Sequence, residues 1–247
     1  MNMSILIPAI KELRPCVAAV MRIRPDRRKR HPRQKAVFNL AFVGTAWCIA
    51  DGIFLTAHHV FNSAAMRDRG DKFTLFLVPD NGNSAFHFPV VEYVLEDAVH
   101  DLAILRIDPS AGQIRAQCLP VTFRQVDDGT GAITCGFPAP AIAGGQVAPD
   151  GSWLGGGKFF LKSHANAGIV AAHYPLDPYG PLYELSIEWH HGESGGPICQ
   201  VEPLAAFAVM QRYRNIQSPH GIMAGPHFGV ALEVIEDTLK NAGATIV

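Results

Sequence analysis

Excess charge of either sign is missing from this chain. Lys and Arg number 21 and Asp and Glu 22, and the resulting net charge of −1 argues against a broadly basic nucleic-acid or membrane-surface binder. Long apolar runs are missing too. The longest, Val37 to Val60, is broken by Asp51, His58 and His59, so it reads as core strands rather than a membrane span. The apolar segment Ser4 to Ile10 has no positive stretch before it, and Lys11 and Glu12 follow at once, so it does not read as a signal peptide. Metal-ligand spacing is absent: no His-x-x-x-His occurs, and the adjacent pairs His58-His59 and His190-His191 are poor chelators. No metal and no cofactor is expected. The five cysteines are an odd count, which speaks against a full disulfide framework. Cys16, Cys48, Cys118, Cys135 and Cys199 sit in or beside apolar segments and read as buried thiols of a reducing compartment, the bacterial cytoplasm.

What is present points to an all-β chain. Apolar residues make up 48%, enough for a sizeable core, and 23 Gly and 18 Pro punctuate many short segments. Strands are expected at Cys16–Ile23, Val37–Val43, Trp47–Ala50, Phe54–Thr56, Lys72–Val78, Phe86–Leu95 and Leu102–Ile107. A second set is expected at Ala132–Gly136, Lys158–Ser163, Gly168–His173, Leu182–Glu188, Gly196–Val201, Ala205–Gln211 and Phe228–Leu232. Residues 109–130 read as a crossover between the sets. Glu233 to Ala242 reads as an amphipathic terminal helix with Val234, Ile235 and Leu239 inward and Gly243 as its stop. Arg24 to Lys35 is a basic loop with Asp26 as its one acid: a solvated loop, a contact for nucleic acid or an acidic partner, or a cleavage site.

Three short motifs carry chemistry. Gly192-Glu193-Ser194-Gly195-Gly196-Pro197 sets a serine among glycines. A serine hydroxyl needs a base to take its proton, and an acyl transition state needs donors for its oxyanion. Glycine before the serine allows a turn that aims the N–H groups of Gly192 and Ser194 at one point, and glycines after it allow close approach of a substrate backbone. Upstream, an apolar run leads into Thr56-Ala57-His58-His59, and His100-Asp101-Leu102-Ala103-Ile104-Leu105 follows. The serine also fits a nucleophile elbow, but Pro197 to Val201 reads as a strand where the elbow needs a helix, and too little chain follows for its acid and histidine.

Together the motifs resemble those of chymotrypsin-like serine proteases, over roughly residues 36–240, in that family's order of histidine, acid and serine. Gly136-Phe137-Pro138 and Phe228 to Leu232 resemble strand ends of bacterial trypsin-like and HtrA-like proteases. The resemblance implies two six-stranded antiparallel β-barrels with a C-terminal helix: residues 1–35 an N-terminal strand and basic loop, 36–120 the first barrel, 121–247 the second barrel and helix. The chain ends soon after Gly243, so no peptide-binding PDZ module is expected to follow. The implied activity is a serine endopeptidase acting on protein or peptide substrates without a cofactor. His59 is the implied base, Asp101 its orienter, Ser194 the nucleophile, and the Gly192 and Ser194 N–H groups the oxyanion hole. Asp97 is the alternative acid.

The implied alternative is an inactive protease-fold module that binds peptides or a partner. In secreted relatives a Cys after the histidine bonds one before it. Here Cys48 stands upstream but Val60 follows the histidine, so that bond is not expected. Glu193 replaces the Asp that pairs with a freed N-terminus in those relatives; no Ile-Val-Gly-Gly start is present, so Glu193 has another cationic partner or faces solvent. The position six before the serine, the pocket floor in trypsin-like relatives, is Glu188, which would favour Arg or Lys before the cleaved bond; HtrA-like enzymes take small aliphatic residues instead. His191 and Met210 complete the expected substrate-binding set, and His190 joins the cleft wall.

Overall fold

In the computed structural model the described residues are 3–26, 37–61, 69–79, 85–108, 115–175, 180–218 and 221–247, the side chains of 212–218 and 221–224 excepted. Six antiparallel strands close the first barrel: β1 (Val17–Pro25), β2 (Phe38–Ala50), β3 (Ile53–Ala57), β4 (Lys72–Leu77), β5 (Phe86–Asp97) and β6 (Leu102–Ile107), in the order β1-β2-β3-β6-β5-β4. The strand β1, expected in the N-terminal segment 1–35, is a stave of this barrel. Between β2 and β3 the turn is Asp51-Gly52, with Gly52 at φ 73°, a backbone shape that glycine takes without strain.

After β7 (Gly131–Gly136) come four short strands, β8 (Ala141–Ala143), β9 (Gln146–Val147), β10 (Trp153–Gly155) and β11 (Lys158–Phe160). They pair as β8 with β11 and β9 with β10, outside either barrel. The segment Lys158–Ser163, expected as a barrel strand, thus belongs to this excursion. It leans on the first barrel through aromatic contacts: Trp153 and Phe159 both meet Phe76, at 5.9 and 5.1 Å between ring centroids. The second barrel continues with β12 (His164–Tyr174), β13 (Leu182–Leu185), β14 (Pro197–Val201), β15 (Leu204–Ser218) and β16 (Gly221–Ala231), closed in the order β12-β13-β16-β15-β14-β7.

Both barrels fill from inward side chains, with a shared core between them. In β1, Ala18 and Val20 point into the first barrel with Phe54, Phe61 and Phe73. Alternate residues Val17, Ala19 and Met21 point outward, yet they too are buried, in a cluster that includes Ile133, Cys135, Cys199 and Leu239. Burial on both faces explains why β1 reads as a continuous apolar run rather than an alternation. Burying each large apolar side chain stabilises by about 1.5–3 kcal/mol before chain entropy is counted.

Two helical features frame the core. Helix α1 (Met3–Leu13), which the sequence reading did not anticipate, buries Ala9 and Leu13 despite Pro8 in its middle. The single turn α2 (His58–Phe61) follows β3 directly. At the other end, a 3-10 turn over Leu232–Ile235 runs into α3 (Glu236–Asn241), where Ile235 and Leu239 are buried. No helix among the described residues is long and apolar enough to cross a membrane. Of the basic segment 24–35, Arg24 lies near the end of β1 and makes a forked ion pair with buried Asp71, at 2.7 Å for Nη2; residues 27–35 lie outside the described residues.

Candidate active site

The end of β3 delivers a histidine to the cleft between the barrels. Val60 and Phe61 are buried and anchor α2, Phe61 by packing on Phe73 at 4.6 Å between centroids. His59, between them and the strand, is left at the surface. Val60 fits only because Gly44 faces it: a Cβ on Gly44 would lie 2.5 Å from the Val60 side chain. Gly44, rather than Cys48, is therefore the neighbour of the residue after His59.

Asp101 grips α2 at three points. Its carboxylate accepts the His59 backbone N–H at 2.7 Å and meets His59 Nδ1 at 2.7 Å, and its carbonyl accepts the His58 N–H at 3.0 Å. Asp101 sits at φ 56°, a left-handed backbone that Asp tolerates better than most residues. With Nδ1–H donated to the carboxylate, Nε2 is the free base of the ring. Asp97, the alternative acid, serves a different histidine. It accepts the Val99 and His100 N–H groups, both at 3.0 Å, and pairs with His100 Nδ1 at 2.6 Å. Burial alone would raise the Asp97 carboxyl, but the His100 and Val99 bonds outweigh it and hold it below its ordinary range.

The serine loop, 186–196, is shaped from across the barrel interface. Thr45 of β2 donates its N–H to the Ser194 carbonyl at 2.8 Å and its hydroxyl to the Gly192 carbonyl at 2.7 Å. The same hydroxyl accepts the Phe137 N–H at 3.1 Å. From the second barrel, Gly195 donates to the Met210 carbonyl at 2.8 Å. Two glycines are required here. Gly192 has φ 100°, and a Cβ on it would lie 2.3 Å from the Phe137 carbonyl oxygen. Gly195 has φ 85°, and its Cβ would strike Thr56 Oγ1 at 2.2 Å.

The Ala139 N–H donates to the His191 carbonyl at 3.1 Å. A trans peptide points its C=O and N–H in opposite directions, so the Gly192 N–H is turned away from Ala139. Among the described residues, neither the Gly192 nor the Ser194 N–H has a protein acceptor. Both are free for an incoming oxygen.

A cleft of about 330 Å³ is lined by His59, Asp101, Trp189, His190, His191, Ser194 and Gln211. Ser194 and His59 thus share one space, although no hydrogen bond joins them. Two of the residues expected at the substrate pocket are elsewhere. Glu188 is exposed and Met210 is fully buried behind Gly195 and Gly196. Burial alternates over 185–190, with Leu185, Ile187 and Trp189 buried and Ser186, Glu188 and His190 exposed, which leaves Glu188 in solvent. Trp189, which lines the cleft, packs edge-on against His227 at 4.7 Å between ring centroids.

Among the described residues Glu193 makes no salt bridge, and it is closed to solvent. It is 1% exposed, and its carboxylate accepts the His190 N–H at 2.6 Å and the Asn166 amide at 3.4 Å. Burial pushes its carboxyl above the usual range, partly countered by the His190 N–H. The sequence reading also missed Thr45, Ala139 and Gln211. Gln211 donates its side-chain amide to the His100 carbonyl, which ties the second barrel to the Asp101 turn.

Among the described residues no cluster of His, Cys, Asp or Glu could hold a metal ion. The arrangement offers a carboxylate-oriented imidazole, a hydroxyl, and two free N–H groups, the parts for proton transfer and for holding a developing oxyanion. Comparisons with known proteins agree with this layout. The family model of the trypsin-like peptidase domain matches residues 44–203. Among solved structures, the HtrA-type protease AlgW with a decapeptide superposes with a TM-score of 0.62 at 16% identity, covering 97% of this chain and 68% of that one. Deg5 gives the same TM-score at 13% identity, covering 96% and 94%. A search of curated proteins finds no match.

Proposed function

Since the chain belongs to the trypsin-like peptidase domain family, we propose that it is a serine endopeptidase in which His59, Asp101 and Ser194 act as the triad. The observation that carries this reading is the 2.7 Å bond between His59 Nδ1 and Asp101 Oδ2, with Ser194 in the same cleft. Nε2 of His59 takes the proton of the Ser194 hydroxyl as Oγ attacks the scissile carbonyl. The oxyanion enters the space served by the Gly192 and Ser194 N–H groups. His59, held by Asp101, then protonates the leaving amine, and water releases the acyl group by the same steps in reverse.

The substrate class is a peptide, as the decapeptide seen with AlgW suggests. With Trp189 inward and Glu188 outward, the side chain before the cleaved bond is small and aliphatic rather than basic. Profiling on a mixed peptide library tests this, and cleavage mainly after Arg or Lys would overturn it. The five unbonded thiols support a reducing compartment such as the cytoplasm; recovery of the protein from an oxidising compartment would contradict that. For the activity itself the test is Ser194→Ala. Turnover should fall by on the order of 10⁴-fold or more with the fold intact. Turnover retained in a clean preparation would end the assignment, and an inactive wild-type protein that still binds peptide would favour the binding-module alternative.

A further inference from the structure

Cys48 and Cys118 lie outside the proposed triad, and their sulfurs are 3.2 Å apart. Cys48 is buried in β2, whereas Cys118, expected to be buried, is exposed on the crossover between the barrels. Their backbones are locked next to each other: the Leu119 N–H donates to the Cys48 carbonyl at 2.9 Å. The crossover is pinned beyond that point as well. Ala206 of β15 donates to the Pro120 carbonyl at 2.9 Å, Thr122 donates back to Ala206 at 2.8 Å, and Val121 bonds to Thr245 and Val247 of the C-terminal tail. Cys118 therefore cannot drift from Cys48 without breaking a backbone ladder that joins both barrels. The other three thiols are all buried, and burial pushes Cys16 and Cys135 up to about 12 and Cys199 well above its ordinary value.

We propose that Cys48 and Cys118 form a redox-modification site, closing into an intramolecular disulfide on exchange with a small-molecule disulfide. The exposed Cys118 thiolate attacks one sulfur of the small disulfide. That S–S bond breaks, one small thiol leaves and takes up a proton, and Cys118 carries a mixed disulfide. The Cys48 thiol loses its proton and its sulfur attacks Cys118 Sγ, expelling the second small thiol. Two protein thiols are oxidised and one small disulfide is reduced to two thiols, with protons balanced. Burial holds the Cys48 thiol well above its ordinary value, and its bond to Cys118 adds to that, so Cys48 is the slow resolving partner and contact with Cys118 supplies the effective concentration. The bond spans 70 positions of sequence and staples the crossover to the first barrel. The site is independent of the peptidase reading, because its readouts are thiol chemistry and melting.

The test equilibrates the full chain, without air, in glutathione buffers of rising oxidised-to-reduced ratio, then alkylates free thiols and maps the products by mass spectrometry. The expected product is one Cys48–Cys118 disulfide, with Cys16, Cys135 and Cys199 still alkylated. Its melting temperature should rise by roughly 10 °C over the reduced form. Cys118→Ser, a change at an exposed position, should fold, form no disulfide and lose the shift, while Cys135→Ser should keep both. Accumulation of Cys118 as a lasting glutathione adduct beside a free Cys48 would overturn the proposal. So would pairing of either thiol with another cysteine, or all five thiols remaining free across the series.

Discussion

The two barrels contribute to the cleft in different ways. The first builds its share from within: α2 and the Asp101 turn are joined by three hydrogen bonds between neighbours on β3 and β6. The second presents Ser194 on a loop held from within, by Met210 and by turns among His190, Glu193 and Gly196, and also from outside, by Thr45 across the interface. The difference teaches that the base is a local product of one barrel, while the oxyanion donors depend on how the barrels meet. Substitutions in the first barrel can therefore act either on the imidazole or, through Thr45, on a loop of its neighbour.

The largest expected effect separates the two histidine–aspartate pairs. Asp101→Asn should lower kcat/KM on the order of 10⁴-fold, because an amide at that place favours the wrong tautomer of His59. Asp97→Asn should leave kcat/KM within about tenfold, since its partner His100 only closes a turn, and should lower stability by about 1–2 kcal/mol. The sign of the pH effect follows from its lowered carboxyl. Stability from Asp97 is full above the ordinary carboxylate value and is lost as pH falls from there through the lowered folded value, so denaturant melts of wild type and variant should draw together only as pH drops below about 4. Equal activity losses in the two variants would contradict the assignment of roles.

A smaller effect tests the dependence of one barrel on the other. Thr45→Val should lower kcat by roughly 10–100-fold with little change in KM, because the lost hydroxyl frees the Gly192 carbonyl and strands the Phe137 N–H. Thr45→Ser should restore most of kcat. Loss of stability without a kcat change, or failure of Ser to rescue, would make Thr45 a packing residue only.

The smallest effect lies inside the serine loop. The Glu193 carboxyl is raised by burial, so its contribution to stability is present below the ordinary carboxylate range and lost as pH rises through the folded value. Relative to Glu193→Gln, wild type should weaken as pH climbs from about 4.3 and then level off. Parallel stability profiles for the two proteins would show that burial of this carboxylate carries no such penalty.

What was legible in the sequence was local. The strand expected at Leu102–Ile107 is β6 to the residue, because an apolar run, interrupted only by Arg106, follows a turn-forming Asp. The three motifs carry their chemistry within a few residues each, so the fold class and the membership of one cleft could be read. What was not legible depended on register or on distant contacts. Helix α1 lacks an acidic first turn and holds Pro8, and it is stabilised by burial of Ala9 and Leu13 rather than by propensity. The barrel strand β12 was legible only over its later part, Gly168–His173; polar His164 and Asn166 hide its first residues.

Glu188 shows the limit of counting positions from a motif. The alternation of Leu185, Ile187 and Trp189 was visible in the sequence and turns Glu188 outward, since a shift of one residue exchanges the faces of an extended segment. Thr45 left no signal at all: a threonine in a strand is unremarked until the loop it holds, 147 positions away, is folded against it.

The most direct measurement of the central claim is labelling with a fluorophosphonate, which reacts with a serine only when a base activates it. In the wild-type protein the label should map to Ser194 alone, should be absent from Ser194→Ala, and should form at least about 100-fold more slowly in His59→Ala. A folded wild-type protein that stays unlabelled, or one labelled at another residue, would contradict the account.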